Sequence, residues 1–400
     1  MNLNNMANIN SRRLKSRLLL IQMMLPVANA FYVPYLTLYY ASRGISDGQI
    51  GILAAIPYTV AFLVQPIWGR CSDRVRRKRS VLVVAAVGAG ASILLYLLGS
   101  SFVHYFICSA LLAVFHSSLV PLTDSMTITL ADEDGLDYGR FRWIGSASYG
   151  ILVLAFSGVL YKNAAASFPL ASMGYLMFMC SLLACPTPQS ARHGHIRPAS
   201  SMVMTPVMYT MLVLMLFISI GTAFANGFYG VLCARIGLDQ RMVGVTTFVG
   251  VMVQIPVSLY AHKVCNRVAK PVLLILCLLL TALRLLCMLS HSPVMLMLSQ
   301  FMAGIIFMLS HYCIVVFMAE MADGQHRSTA QSLHTAQSAF GSITGTLLGG
   351  WVSQRFGMQN AFLWFAVALL AVSTAVLLAG LVKKEEKKKT INLFAEQKKP

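Results

Sequence analysis

Asp124 is an acidic residue inside a long apolar run, in the stretch PLTDSM at residues 121–126. Every other Asp or Glu falls in a predicted loop, at a predicted helix end or in the C-terminal tail. A charged side chain at the centre of a bilayer costs about 2.5–3.5 kcal/mol on insertion scales, so those that occur are usually paired and functional. Asp124 is therefore the first candidate for proton or solute chemistry.

Arg142 is the partner that the spacing predicts for Asp124. The polar stretch ADEDGLD at 131–137 predicts a tight turn between two helices, and Asp124 and Arg142 lie equally far from its residue 133. At about 1.5 Å of rise per residue, both are expected about 13 Å above the turn. Three interpretations stay open: a pair that only locks two helices together, two charges that each face water, and a pair that takes part in transport.

The composition indicates the elements that must position these residues. The 400 residues are 57% hydrophobic and 11% charged, with a mean hydropathy of +0.70. These values exclude a soluble protein and indicate a polytopic membrane protein. Because a spanning helix needs about 20 mostly apolar residues, the sequence predicts an all-α protein with twelve transmembrane helices. They begin near Leu18, Asp47, Ser80, Phe102, Gly139, Ala165, Thr205, Met242, Pro271, Pro293, Ser328 and Gln359.

The net charge of +18 is distributed by topology. Clusters at 12–17 and 70–79 and the Lys-rich tail fall on one predicted side, whereas the other side holds few basic residues. The positive-inside rule then predicts a multi-pass protein of the cytoplasmic (inner) membrane with both termini in the cytoplasm. It also argues against nucleic acid as a partner. The first apolar run is helix-length without a convincing cleavage site, so no cleavable signal peptide is expected.

The chain divides into two similar halves. A polar stretch with three prolines separates a predicted six-helix bundle at 1–184 from a second one at 205–382, with a cytoplasmic linker at 185–204 and a basic tail at 383–400. GISDGQIG at 44–51 and GLDQRMVG at 237–244 occupy the same place in the two halves, at an offset of 193 residues. Such pseudo-symmetric bundles, with a central site between them, are typical of transporters. Gly341, Gly345 and Gly349 predict a face for close helix packing.

The segment GRCSDRVRRKR at 69–79 resembles the loop signature of the major facilitator superfamily. The matching residues are Gly69, Asp73 and Arg74, between the second and third predicted helices. The resemblance implies the major facilitator fold. It also implies a gating loop whose aspartate pairs with neighbouring helix ends and stabilises one of two access states.

The region VPLTDSM…LDYGRFRWIGSASYG resembles the lactose permease and phenylpropionate permease group of that superfamily. The resemblance implies that Asp124, Arg142 and Tyr149 bind the solute. A carboxylate and a guanidinium form paired hydrogen bonds with vicinal hydroxyls, and an aromatic face accepts the C–H surface of a sugar. Arg284 matches a membrane arginine of the group, and we expect it to bind the solute as well. The sugar permease's His-x-x-Glu proton site has no counterpart, because FMAGIIF at 301–307 contains no titratable group.

Further side chains inside the helices are candidates for a cavity or a proton path. Asn29, Tyr32 and Gln254 are expected near a cavity, and His311 is a candidate proton carrier because imidazole titrates near neutral pH. His104, His116 and His334 are weaker candidates. The nine cysteines contain no CxxC pair, so neither a disulfide framework nor a metal site is expected, and no cofactor is implied.

These features favour a secondary transporter with alternating access, driven by a proton gradient, with a small-molecule solute, protons and the lipid bilayer as partners of a monomer. A sugar or glycoside and an aromatic carboxylate both stay open as solutes. The alternative is a proton-coupled exporter or a facilitator of small organic anions or drug-like compounds. No catalytic motif appears in the helices, and no loop is long enough for a soluble sensor domain, so an enzyme or a sensor is not expected.

Overall fold

A computed structural model describes residues 3–75, 78–134, 139–186, 205–238, 240–321 and 327–396. Asp73, Arg74 and 139–142 lie in helices, but only their backbone is described. In these ranges the protein is helical, with no strand. The helices are α1 Leu3–Tyr32, α2 Leu36–Ser42, α3 Asp47–Arg74, α4 Lys78–Leu94, α5 Phe102–His116, α6 Leu119–Glu133, α7 Gly139–Lys162, α8 Ser167–Ala184, α9 Pro206–Arg235, α10 Gln240–Arg267, α11 Lys270–Cys287, α12 Pro293–Met321, α13 Arg327–Phe356 and α14 Met358–Glu396.

The prediction of an all-α polytopic membrane protein is confirmed. Within the described residues, eleven helical stretches are long and apolar enough to cross a membrane. The remaining predicted spanning helix is α13. It is 30 residues long, but side chains such as Ser332, Gln337 and Ser338 make it more polar than the other eleven. Apart from the first, each predicted start lies within two residues of an observed helix start. The first helix begins at Leu3 because it continues into a polar stretch that hydropathy does not register.

Two spanning helices are interrupted, which the sequence did not predict. One spanning helix consists of α1 and α2, which are separated at residues 33–35, where Pro34 has no N–H to donate. Another consists of α5 and α6, which are separated at 117–118. Here α3 supplies the missing donors: Gln65 Nε2 donates to the Ser117 carbonyl (3.0 Å) and Trp68 Nε1 to the Val114 carbonyl (2.7 Å). Non-helical backbone inside a membrane requires such replacement.

Two predicted segments differ from their expected form. The predicted gating loop is helical at Gly69, Asp73 and Arg74, because α3 continues to Arg74. The side chains of Asp73 and Arg74 lie outside the described residues, so their implied pairing stays a prediction. The expected C-terminal tail is also helical in part, since α14 runs to Glu396. In both cases the helix extends beyond the apolar run that suggested its end.

The helices form two bundles, α1–α8 and α9–α14, in which small residues allow helices to approach each other closely. Gly174 of α8 lies against Ala28 of α1. In the second bundle Gly341, Gly345 and Gly349 of α13 pack against Ser219, Ile220 and Phe224 of α9. The predicted close-packing face is therefore confirmed, and a side chain on any of these three glycines would collide with α9.

The two bundles meet at two equivalent helix crossings. The contacting positions of the two crossings are related by the offset of 193 residues found in the sequence. At the first, Gly51 of α3 lies against Gly350 and the Thr346 carbonyl of α13. At the second, Gly244 of α10 lies against Ser157 and the Val153 carbonyl of α7. Each of these three pairs of positions, 51 and 244, 350 and 157, and 346 and 153, is related by the offset. The duplication thus reappears as a pair of matching interfaces.

Both crossings lie at one face of the membrane domain. We call the face where α3 and α10 begin the far side, and the face where α1 begins the near side. On the far side Arg235 of α9 donates to both carboxylate oxygens of Asp47 (2.9 and 2.6 Å), and Gly48 N–H donates to Gln354 Oε1 (3.1 Å). Deeper between the bundles, Gly150 of α7 lies against Phe248 and Met252 of α10. The bundles are therefore sealed against each other on the far side.

The first crossing predicts that Gly51→Ala opens the far side. A Cβ at Gly51 would lie 2.5 Å from the Thr346 carbonyl oxygen and 3.0 Å from Gly350 Cα, which are backbone atoms that cannot turn away. The reporter is Ser157→Cys at the second crossing, since Ser157 is 2% exposed. In a background without Cys71 and Cys180, an impermeant maleimide is applied from the far side. Gly51→Ala should increase the labelling of the reporter at position 157 severalfold.

Gly227→Ala is the matched control for this experiment. It makes the same change in a helix, α9, with the same gain in helix propensity, but a Cβ at Gly227 meets only the Thr346 methyl group at 3.7 Å and the Ala54 Cβ at 4.0 Å, which are ordinary contact distances. Its labelling should equal that of the parent. Equal labelling of both variants would show that the crossing does not hold the far side closed.

Candidate functional site

A cavity of about 290 Å³ lies between the two bundles. Its wall comes from the break between α1 and α2, where Val33 and Pro34 contribute, and from α7, α9, α10 and α12. The break matters because it removes a turn of helix at the point where the bundles meet. Gly230 of α9 approaches the Pro34 carbonyl there. We call this space the central cavity.

The polar side chains of the central cavity are neutral. Among the described residues of its wall they are Tyr149, Asn226, Tyr229, Thr247, Gln254 and Gln300. Tyr149 and Gln254 were expected near a cavity, and both lie in the wall. Amide and hydroxyl groups both donate and accept hydrogen bonds. The wall is therefore suited to a ligand that carries donors and acceptors of its own.

Two of these side chains, Asn226 and Tyr229, accept hydrogen bonds from or donate them to residues of the second bundle that lie behind the wall. Tyr229 donates to Thr246 Oγ1 (2.7 Å), and Thr246 in turn donates to the Met242 carbonyl (2.7 Å). Asn226 Oδ1 accepts a hydrogen bond of 2.7 Å from a terminal nitrogen of Arg284. Asn226 and Tyr229 are three residues apart on α9 and share one face. The donors and acceptors of this face are thereby fixed in orientation.

Arg284 lies behind the central cavity and is not part of its wall. Its side chain is fully buried on α11, and its Nε has no hydrogen-bond partner among the described residues. The prediction that Arg284 binds the solute is therefore changed: it reaches the cavity only through Asn226. The stretch ISIGTAFANGFYG of α9 contains no acid, but its single amide, Asn226, was a signal in an otherwise apolar run.

Asn29 and Tyr32 lie inside the first bundle and not in the wall of the central cavity. Asn29 Oδ1 is 3.0 Å from His116 Nε2, and the Tyr175 hydroxyl lies 3.4 Å from Asn29 Oδ1 and 3.3 Å from the Tyr32 hydroxyl. Their predicted role at the cavity is thus not supported by their position. These groups satisfy one another across α1, α5 and α8, as polar groups away from water must.

Asp124 contacts α1 through a residue that the sequence did not single out. Gln22, which is 4% exposed, donates to Asp124 Oδ1 (3.2 Å) and to Thr127 Oγ1 (3.0 Å). Asp124 itself is half-buried on α6. Gln22 interrupts the apolar run LLLIQMML, so a search for amides as well as acids would have found it.

The Arg142 side chain lies outside the described residues, so the predicted pair of Asp124 and Arg142 stays a prediction. The helix that carries Arg142 does pass close to Asp124. Gly145, three residues further along α7, lies against the Gln22 carbonyl, and Gln22 is the residue that donates to Asp124. Residues three apart lie on one helix face. Position 142 therefore lies on the face of α7 that meets Gln22, where the predicted partner of Asp124 is expected.

His311 lies on α12 just beyond the wall of the central cavity, in the direction of the near side. Phe307 is in the wall, and the His311 ring, one helical turn further along α12, lies parallel to it at 6.4 Å between centroids. The His334 ring of α13 is 5.8 Å from that of His311. His334 is 4% exposed, and its Nδ1 has no partner among the described residues. The positions of these two histidines in the sequence did not predict that their rings lie together.

Comparison with known proteins also indicates a membrane transporter. Residues 27–379 match the model of the MFS_1-like family. The chain is 25% identical over 354 residues to a protein named maltose permease from Geobacillus stearothermophilus, covering 86% of this chain and 90% of that protein. It is also 23% identical over 376 residues to the uncharacterized transporter YwbF of Bacillus subtilis (strain 168), covering 92% and 93%.

Solved structures share the fold at low identity. A mutant of the nucleoside transporter NupG superposes with a TM-score of 0.82 at 13% identity, over 91% of this chain and 99% of that one. A bacterial homologue of the human lysosomal transporter Spinster, inward-facing and occupied, gives 0.70 at 14%, over 91% and 95%. The chain belongs to the MFS_1-like family and is a multi-pass membrane transporter, not an enzyme.

Proposed function

We propose that this transporter is a proton-coupled symporter of a small, neutral, hydroxyl-rich solute such as a sugar or glycoside. It works as a monomer by alternating access in the cytoplasmic membrane, with both termini in the cytoplasm. The observation that carries the proposal is the central cavity, whose described polar residues are neutral amides and hydroxyls. Burial of an organic anion there would leave its charge without an opposite charge in the described wall.

The chemistry of the wall suits a sugar. Sugar hydroxyls donate and accept, as do the amides of Asn226, Gln254 and Gln300. Tyr149 offers a ring for the C–H surface of a sugar. The volume of about 290 Å³ is near the lower end of small-molecule sites, roughly 300–1,000 Å³, and so favours a small solute. The similarity to a protein named maltose permease supports the same class.

The seal on the far side supports an inward-facing conformation. The basic residues predict that the near side is cytoplasmic, and the sealed far side would then be the outer face. In the outward-facing state the crossings at Gly51 and Gly244 must separate. Each is a close contact of small residues, which requires little side-chain rearrangement to open or to form again.

Proton coupling is assigned to Asp124. Its carboxylate accepts from Gln22, and protonation would weaken that hydrogen bond and any pairing with Arg142, which loosens α6 from α1. A ligand or proton shifts a conformational equilibrium only through such a difference in interactions. His311 is the second candidate carrier, because it borders the central cavity at Phe307 and lies beside His334.

A facilitator or exporter of small organic anions is the second candidate function. Arg284 favours it, since a fully buried guanidinium behind Asn226 gives the cavity a positive potential. Direct pairing with an anion would require Asn226 to move aside.

Uptake into proteoliposomes tests the two functions together. With an inward proton gradient, maltose or methyl α-glucoside should accumulate above its external concentration, and a protonophore should abolish the accumulation. Accumulation of phenylpropionate instead would favour the anion. If neither class moves, with or without the gradient, the proposed function is wrong.

Tyr149→Leu should weaken sugar binding about tenfold, because it removes an aromatic face and a hydroxyl from the wall, a loss on the order of 1.4 kcal/mol. Tyr149→Phe, which keeps the ring, should lose less. Tyr209→Leu is the control, since Tyr209 is 57% exposed near the start of α9 and outside the wall. The KM for uptake measures the effect. An unchanged KM in Tyr149→Leu would remove this residue from the solute site.

Asp124→Asn should abolish accumulation driven by the proton gradient and leave exchange of labelled for unlabelled solute. Asparagine still accepts from Gln22 but does not titrate. The matched control is Asp134→Asn, the same change at an exposed acid just after α6, which should accumulate normally. Full accumulation by Asp124→Asn would assign coupling elsewhere, and His311→Gln would be measured next in the same assay.

A further inference from the structure

We propose that Arg284 is a positioning residue for solute recognition. From behind the wall of the central cavity it fixes the amide of Asn226, so that the Nδ2 hydrogens are presented to the solute. The solute atom that they bind is an electron-rich acceptor oxygen, as in a hydroxyl, ether or carboxylate. This inference rests on the proposed function, because it needs the central cavity to be the solute site.

The burial of Arg284 calls for a specific partner. A guanidinium that is 0% exposed inside a membrane protein is costly unless hydrogen bonds compensate it. The structure gives it the Asn226 oxygen at 2.7 Å. Apolar packing at this point of α11 would stabilise the bundle at least as well as a charge. The charge is therefore better explained by what it does to Asn226 than by stability.

The orientation of Asn226 follows from the donors of Arg284. A guanidinium only donates, so the amide must turn its oxygen towards Arg284, and the NH₂ group is then left for other partners. The hydrogen bond is charge-assisted and stronger than one between neutral groups. It also polarises the amide, which makes the Nδ2 hydrogens better donors. A free asparagine in the wall would offer oxygen or nitrogen equally.

The surrounding wall keeps this arrangement rigid. Tyr229, on the same face of α9, is tied to α10 by its hydrogen bond to Thr246. On α11, Thr281 donates to the Cys277 carbonyl (2.7 Å) and is fully buried, as is Arg284. The orientation of the Asn226 NH₂ group is thus fixed before the solute binds, which lowers the entropic cost of binding.

A double-mutant cycle tests the proposal. The variants are Asn226→Ala, Arg284→Met and both together, in the purified full-length protein, with methyl α-glucoside as the neutral probe and phenylpropionate as the anionic one. If Arg284 acts through Asn226, each single change should weaken binding of the preferred probe about tenfold, and the double change should weaken it by no more than either alone. Arg284→Lys, which retains a charged donor, should recover most of the affinity.

Asn226→Asp keeps the test decisive if Arg284→Met fails to fold. The carboxylate still pairs with Arg284, so the melting temperature without solute should be at least that of the parent, yet the Nδ2 donors are gone. Binding should fall at least as far as in Asn226→Ala.

Four results would overturn the inference. They are losses that multiply in the double variant, undiminished binding by Asn226→Asp, unchanged binding by Arg284→Met, and a loss in Arg284→Met that Lys does not recover. The first indicates direct contact between Arg284 and the solute, and in each of the four the proposed function stands. If neither probe binds the parent, the proposed function is wrong and this inference falls with it.

Discussion

The bilayer offers no water to polar groups, and this constraint explains most of the polar contacts in the protein. The interruption between α5 and α6 is compensated by α3, whose Gln65 and Trp68 donate to carbonyls at the end of α5. Several polar side chains of the first bundle satisfy one another in a similar way. Asn29, Tyr32, His116 and Tyr175 form one such group, and Gln22 with Asp124 and Thr127 forms another. Polar residues in this protein therefore act in sets.

The two glycine crossings separate the rigid parts of the molecule from the interface that must change. Within each bundle, close helix packing leaves no space for larger side chains, as at Gly174 and Gly345. Between the bundles, the same kind of contact occurs at the two crossings on the far side, where it is supported by the ion pair of Asp47 and Arg235. Separation of the crossings would leave the packing within each bundle intact, as the proposed alternating access requires.

The polar groups of the central cavity differ from what a sugar permease of the lactose type would lead one to expect. Its described wall holds amides and hydroxyls, while charge is kept behind the wall at Arg284 and to one side at Asp124. In the proposed function, recognition and coupling therefore lie in different places. A neutral donor such as Asn226, fixed by a buried cation, would bind an oxygen without a formal charge in the cavity.

The sequence by itself determined the twelve helices, nearly all of their starts and the internal repeat. These are local properties: membrane thickness sets the length of an apolar run, and duplicated turns keep their glycines, as Gly44 and Gly237 do with φ of 78° and 67°. Tertiary structure decided which side chains meet. It put Tyr149, Asn226 and Gln254 in the wall, withdrew Asn29, Tyr32 and Arg284 from it, and placed Gln22 against Asp124. Hydropathy cannot decide this, because the rotation of each helix about its axis is set by packing against neighbours that lie far away in the chain.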